Sequence, residues 1–170
     1  MFALPSALIA EGFLLRVETE EDIEFLSRLF ASTRADEMAQ IVQWTDEQKA
    51  EFLQSQFRLQ RHHYYTHFPA CEFLVLEHDG VPMGRLYLDN RETALDIVDI
   101  ALLPEWRGRG TGSAIMHAVL DAARISGRHI GLFVERYNPA FRLYTRLGFR
   151  EIEDHGIYIE MVWRADAPVS

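Results

Sequence analysis

Cysteine is almost missing from this chain: Cys71 is the only one in 170 residues. An internal disulfide is therefore excluded, and the composition suits a reducing compartment, so a cytoplasmic location is expected. Cys71 is followed by Glu72 in a strand-like run and reads as a packed, inert thiol rather than a nucleophile. Long apolar runs are missing too. Met1–Ala10 is apolar, but it is too short to cross a bilayer and carries no basic flank. It reads as a tail laid on the body or used in a subunit contact of a homodimer. Charges interrupt every later apolar stretch, so no membrane association is expected. Positive charge is in deficit, with 17 Lys and Arg against 26 Asp and Glu, a net charge of -9. That balance argues against a nucleic-acid partner and suits a cationic one such as an amine.

Repeats, low-complexity blocks and Pro/Gly/Ser-rich linkers are absent as well, which leaves one domain over 1–170 with tails at 1–11 and 164–170. What is present is ordinary globular composition, 48% hydrophobic and 25% charged, enough to bury a core. Gly12–Val17 reads as a strand. Thr19 with Asp22 resembles a capping box ahead of Ile23, Leu26, Leu29 and Phe30 at helical spacing. Thr45 with Gln48 marks a second helix start, carrying Phe52, Leu53, Phe57 and Leu59 towards His62. Phe73–Glu77 and Met83–Leu88 are β-rich runs joined through Asp79-Gly80, a hairpin signal. Ala94–Leu103 makes a third strand that Pro104 stops.

Beyond Gly110, the residues Ile115, Met116, Val119, Leu120 and Ala123 share one face of a helix that Gly127 ends. Ile130–Val134 is a strand and Pro139–Leu147 a short helix with Gly148 past its end. Two strands flank Asp154-His155-Gly156. The order β-α-α-β-β-β-α-β-α-β-β gives an α+β fold, one mixed and mostly antiparallel central sheet with helices on both faces.

The richest chemistry sits at Arg107-Gly108-Arg109-Gly110-Thr111-Gly112, between a strand and a helix. Unpartnered N–H groups and the helix dipole make such a turn an anion site, glycines let the chain approach a phosphate, and two arginines add charge. A Walker loop would need a lysine, and a dinucleotide fingerprint would need glycine where Ser113 stands. Neither fits.

The segment Ile100 to Gly112, a strand and proline leading into Arg107-Gly108-Arg109-Gly110-Thr111-Gly112, resembles the central motif of GNAT acyltransferases. Asn138 to Phe149, ending Leu143-Tyr144-Thr145-Arg146-Leu147-Gly148-Phe149, resembles that family's second signature. The resemblance runs from about Gly12 to Trp163 and is strongest between Ile100 and Phe149. It implies an N-acetyltransferase that moves the acetyl group of acetyl-CoA to a primary amine, by direct attack in a ternary complex. A non-catalytic acyl-CoA-binding sensor or subunit is the alternative.

The resemblance also implies roles. Gly108, Arg109, Gly110, Thr111, Gly112 and Ser113, with Arg107, would hold the pyrophosphate. Ile100, Ala101 and Leu102 would run beside the pantetheine arm, entering where two strands splay. Asn138 would bond the cofactor, and Tyr144 would protonate the leaving thiolate. Asn138 stands six residues before Tyr144, where many relatives have seven. Phe133 occupies the position at which relatives acting on protein N-termini carry a glutamate, which points the acceptor towards a small-molecule or peptide amine of another kind.

The general base is left among Asp96, Asp99, Glu135 and a water chain. Asp96 and Asp99 are three apart on a strand and are expected on opposite faces. His62, His63 and His67 read as aromatic packing at a helix end, and no metal is expected. Arg34, Glu37 and Trp44 are candidates for the acceptor side.

Overall fold

In the computed structural model, residues 1–165 are described. The chain runs α1 (Ser6–Ala10), β1 (Phe13–Val17), a 3-10 turn (Glu20–Asp22), α2 (Ile23–Thr33), α3 (Ala35–Gln40) and α4 (Asp46–His67). The three-stranded meander β2 (Cys71–His78), β3 (Val81–Asn90) and β4 (Leu95–Leu102) follows. A second 3-10 turn (Pro104–Trp106) leads to α5 (Thr111–Ser126), β5 (Ile130–Glu135), α6 (Ala140–Arg146), β6 (Arg150–Asp154) and β7 (Tyr158–Trp163). The seven strands lie in the order β1-β2-β3-β4-β5-β7-β6. Every neighbouring pair is antiparallel except β4 and β5. The α+β reading, with helices on both faces of one sheet, is the observed architecture.

Local chemistry accounts for most boundaries. The Thr45 hydroxyl accepts the Gln48 N–H at 3.1 Å, while the Gln48 side chain accepts the Thr45 N–H at 2.8 Å, a reciprocal cap on α4. Asp22 accepts the Thr19 N–H at 2.8 Å and a two-pronged bond from Arg16, which ties β1 to the start of α2. The β2–β3 turn takes Asp79 and Gly80 to φ 48° and 80°, the left-handed pair that a two-residue hairpin requires.

Two cores sandwich the sheet. On one side Ile115, Met116, Val119, Leu120 and Ala123 of α5 pack on Leu86, Leu88, Leu95, Ile130 and Met161. Phe2 and Leu4 join this core and Leu8 packs against it, so the N-terminal segment is laid on the body. On the other side Leu26, Leu29 and Phe30 of α2 meet Phe57, Val75 and Leu103.

α4 is different from its neighbours. It extends past the expected end at His62 to His67, and Phe57 is its one buried residue. Beside Phe57 and the half-buried Leu53, its contacts with the sheet are polar: Tyr65 donates to Glu18 at 2.5 Å, Arg61 pairs with Glu18 at 3.2 Å, and Gln60 accepts from Arg85 at 3.0 Å. Tyr87, on the sheet below, gives Glu18 a further hydroxyl at 2.5 Å.

Candidate active site between the splayed strands

β4 and β5 share one ladder pair, Ile97 with Leu132, preceded by the bridge Ala94–His129. Beyond Ile97 they part. β4 continues on β3 alone, as Asp99 pairs with Tyr87, Ile100 with Leu86, Ala101 with Arg85 and Leu102 with Gly84. One cause is visible at Gly131, whose N–H donates to the Asp96 carboxylate at 2.7 Å instead of a β4 carbonyl. A Cβ on Gly131 would lie 2.9 Å from that oxygen, so glycine is needed for the close approach.

The other cause is a bulge. Leu88 pairs with Ile97 and Tyr87 with Asp99, which leaves Val98 as the extra residue. The bulge corrects one expectation: Asp96 and Asp99 face the partners Asp89 and Tyr87, two apart on β3, and therefore point to the same side of the sheet. It also sets the main chain. The Leu95 N–H bonds His129 on the β5 side, and the Leu103 N–H bonds Met83 on the β3 side, both at 2.9 Å. Alternation then turns the N–H and C=O of Ile100 and Leu102 into the gap and those of Ala101 towards β3. Among the described residues, the Leu102 carbonyl alone of these four groups is engaged, by Arg107 Nε at 2.9 Å.

The glycine-rich turn closes the far end of this gap. Gly108 and Gly110 sit at φ 72° and 81°, and a Cβ on either would meet nothing within 4 Å. Glycine serves conformation there, not space. The first helical bond of α5 runs from Ala114 N–H to Gly110 C=O at 2.9 Å. The N–H groups of Thr111, Gly112 and Ser113 consequently have no acceptor among the described residues, at the positive end of a 16-residue helix. The arginines lie differently from the simple expectation. Arg107 turns back to Leu102 and to the Ser32 hydroxyl at 3.0 Å, while Arg109 stacks over Trp106 at 4.9 Å. Arg107 thus braces the loop against β4 and α2.

α6 borders the gap opposite. The Asn138 side chain accepts the Ala140 N–H at 2.9 Å, which spends its oxygen on the start of α6 and leaves its amide nitrogen for another partner. Tyr144 is buried, its ring 5.6 Å from that of Phe149, and its hydroxyl has no hydrogen bond among the described residues. Burial, and then the charge of Asp99, push its phenol up to about 12. Ile97 to Ala101, Leu132 to Glu135, Asn138 and Tyr144 all border one cleft, which brings Asp99, Ile100 and Ala101 together with Asn138 and Tyr144, while Leu102 and Asp96 are not on it.

The structure adds residues that the sequence reading missed. The Oδ2 atom of Asp99 accepts Arg85 at 2.7 Å and the Tyr64 hydroxyl at 2.9 Å, and its Oδ1 has no hydrogen bond among the described residues. Arg85 is 2% exposed. The signal was an arginine inside the apolar run Met83–Leu88, since a charge is rarely buried without a fixed partner. Of the acceptor-side candidates, Arg34 and Glu37 line the cleft as an ion pair at 3.0 Å. Trp44 instead packs on Phe52 at 5.3 Å. His63 and His67 stack on each other at 4.3 Å. Glu153, His155 and Glu160 also lie close enough together to share an ion, on an exposed hairpin.

One pH consequence follows from this packing. Burial raises the pKa values of Tyr64, Tyr65, Tyr87, Tyr144 and Cys71 alike, with Tyr65, Tyr144 and Cys71 at about 12. Above about pH 9–10 the unfolded chain sheds these protons while the folded one keeps them. The stability they lend is complete below that range and falls as pH rises towards 12. Melting temperature is expected to hold near pH 8 and drop steadily from about pH 9.5 upward. A flat profile to about pH 11 would contradict the burial described.

Comparison with known proteins identifies the family. The model of the Acetyltransferase (GNAT) family matches residues 36–149. An uncharacterized N-acetyltransferase of Methanocaldococcus jannaschii is 36% identical over 102 residues, which cover 54% of this chain and 45% of that one. The chain therefore spans less than half the length of that relative. PaiA N-acetyltransferase from Thermoplasma acidophilum, solved in complex with coenzyme A, superposes with a TM-score of 0.66 at 18% identity, over 89% of this chain and 98% of that one. An acetyltransferase from Thermus thermophilus gives 0.61 at 21%, over 89% and 96%. At these identities the structural likeness speaks to the fold. No helix among the described residues is long and apolar enough to cross a membrane.

Proposed function

Because this chain belongs to the GNAT acetyltransferase family, we propose that it transfers the acetyl group of acetyl-CoA to a primary amine by direct attack. The observation that carries the reading is the parting of β4 from β5 beyond Ile97, with the unpartnered N–H groups at the start of α5 next to the end of β4, where a Cβ on Gly112 would lie 3.8 Å from the Leu102 side chain. A ligand with a diphosphate at one end and an extended amide-bearing arm at the other fits that path. Its phosphates would be held by Thr111, Gly112 and Ser113, with the turns at Gly108 and Gly110 shaping the cradle. Its amides would pair with the main chain of Ile100 and Leu102, as a short extra strand does.

The arm then ends beside Tyr144, Asn138 and Asp99. The acceptor nitrogen attacks the thioester carbonyl, the C–S bond breaks, and the thiolate takes the Tyr144 proton. A phenol held at about 12 stays protonated at neutral pH and can donate over a short distance. Charge growing on the carbonyl oxygen would be met by a β4 main-chain N–H. The free oxygen of Asp99 is the best-placed acceptor for the amine proton, directly or through water. Asp96 is committed to Arg91 and Gly131. Cys71 is a protonated thiol in the packing of β2, so no acyl-cysteine step is needed.

The test is an amine panel incubated with acetyl-CoA, following thiol release and the acetylated product together. Turnover of any primary amine supports the reading. Tight acetyl-CoA binding with no turnover across the panel would overturn it in favour of a binding module.

A further inference from the structure

The cleft beside Tyr144 opens into a larger trough, of about 760 Å³, between α4 and β5 and β7. Leu59 and His63 of α4, with Phe68 just past its end, form one wall, and Phe133, Tyr158 and Glu160 the sheet side. Phe133 is 61% exposed and Tyr158 45%, two large rings left uncovered. Carboxylates stand at both ends of this aromatic floor. At the reacting end are Glu135, without a partner among the described residues, and the free oxygen of Asp99. At the other end Glu160 pairs in register with Glu153 across β7 and β6, with His155 at 3.1 and 3.6 Å from the two.

The β5–β7 register puts Glu135 opposite Tyr158 and Phe133 opposite Glu160. Two residues along the sheet and one strand across separate the backbones of Glu135 and Glu160 by roughly 8 Å. We propose that the acceptor is a linear amine carrying a second cationic group. Asp99 and Glu135 receive the reacting nitrogen, Glu160 and Glu153 receive the distal cation, and the methylenes between them lie on Phe133 and Tyr158. Aromatic faces attract cations and cover hydrocarbon at once, which suits such a chain. The inference rests on the acyl-transfer reading, with the trough as the acceptor's approach.

The experiment compares kcat/KM for α,ω-diamines from 1,4-diaminobutane to 1,8-diaminooctane with monoamines of matched length. Alongside it, calorimetry measures diamine binding to the protein saturated with coenzyme A. At least one diamine should exceed its monoamine by about tenfold, the scale of two partly exposed ion pairs. The double variant Glu153→Gln, Glu160→Gln should erase that advantage, bringing each diamine to the kcat/KM of its matched monoamine measured in the same variant. Equal rates throughout the series, an advantage that survives the double variant, or preference for a lysine peptide over every diamine would overturn the proposal. Diamine binding that depends on Glu153 and Glu160, without turnover of any amine, would uphold it and overturn the enzymatic reading instead.

Discussion

Gly110→Asp is expected to abolish measurable acetyl-CoA binding while the protein stays folded. Gly110 precedes α5 at φ 81° with open space where a side chain would project. The fold therefore loses little: an αL aspartate costs on the order of 1 kcal/mol, and no neighbour has to move. The ligand loses much more. A carboxylate at this turn stands among the N–H groups of Thr111, Gly112 and Ser113, where it can accept their bonds itself and repel a diphosphate. Affinity should fall by about 10²-fold or more, on the scale of lost charge-assisted hydrogen bonds plus like-charge repulsion. Gly110→Asn separates the causes, because it carries the same backbone strain without the charge and should bind at an intermediate level. Calorimetry on variants with native circular dichroism measures both. Unchanged affinity in folded Gly110→Asp would remove the phosphate cradle from this account.

Tyr144→Phe should reduce kcat by about 10²-fold, the usual scale of acid–base assistance, and change little else. The hydroxyl has no hydrogen bond among the described residues to lose, and the ring keeps its packing on Phe149. Melting temperature and acetyl-CoA affinity should therefore stay close to those of the parent. A tyrosine that served only as core would give the opposite pattern, full turnover with any loss confined to stability. Full turnover of Tyr144→Phe on an acceptor whose chemical step limits the rate would exclude it as the acid.

The fold was legible wherever one strand or helix carried its own signal. Thr45 with Gln48, Asp79-Gly80, Pro104 and Gly127 each fixed a boundary through local bonds or a required φ. The candidate phosphate turn was legible as a helix start, since Gly108 and Gly110 stand in sequence where the chain takes positive φ and α5 begins. It was not legible where meaning depends on register. One extra residue at Val98 moved Asp99 to the face of Asp96, and period-two counting has no access to a bulge. Arg85 and Tyr64 could not be connected to Asp99 before the topology placed α4 over β3 and β4. The reach of α4 to His67 was also hidden, because a helix docked through polar groups lacks a strong apolar stripe.

That docking makes the two walls of the site unequal. Lifting α5 would expose Ile115, Met116, Val119, Leu120 and Ala123 to water with nothing gained in return. Lifting α4 would uncover Phe57, Gln60, Arg61, Tyr64 and Tyr65, and water would resolvate the charges and hydroxyls that leave Glu18, Arg85 and Asp99. α5, whose start carries the proposed phosphate turn, is thus docked by apolar area, and α4, which walls the proposed acceptor cleft, largely by polar groups. On the proposed reading the acceptor wall is the one expected to open first, and amide hydrogen exchange faster in α4 than in α5 would show it.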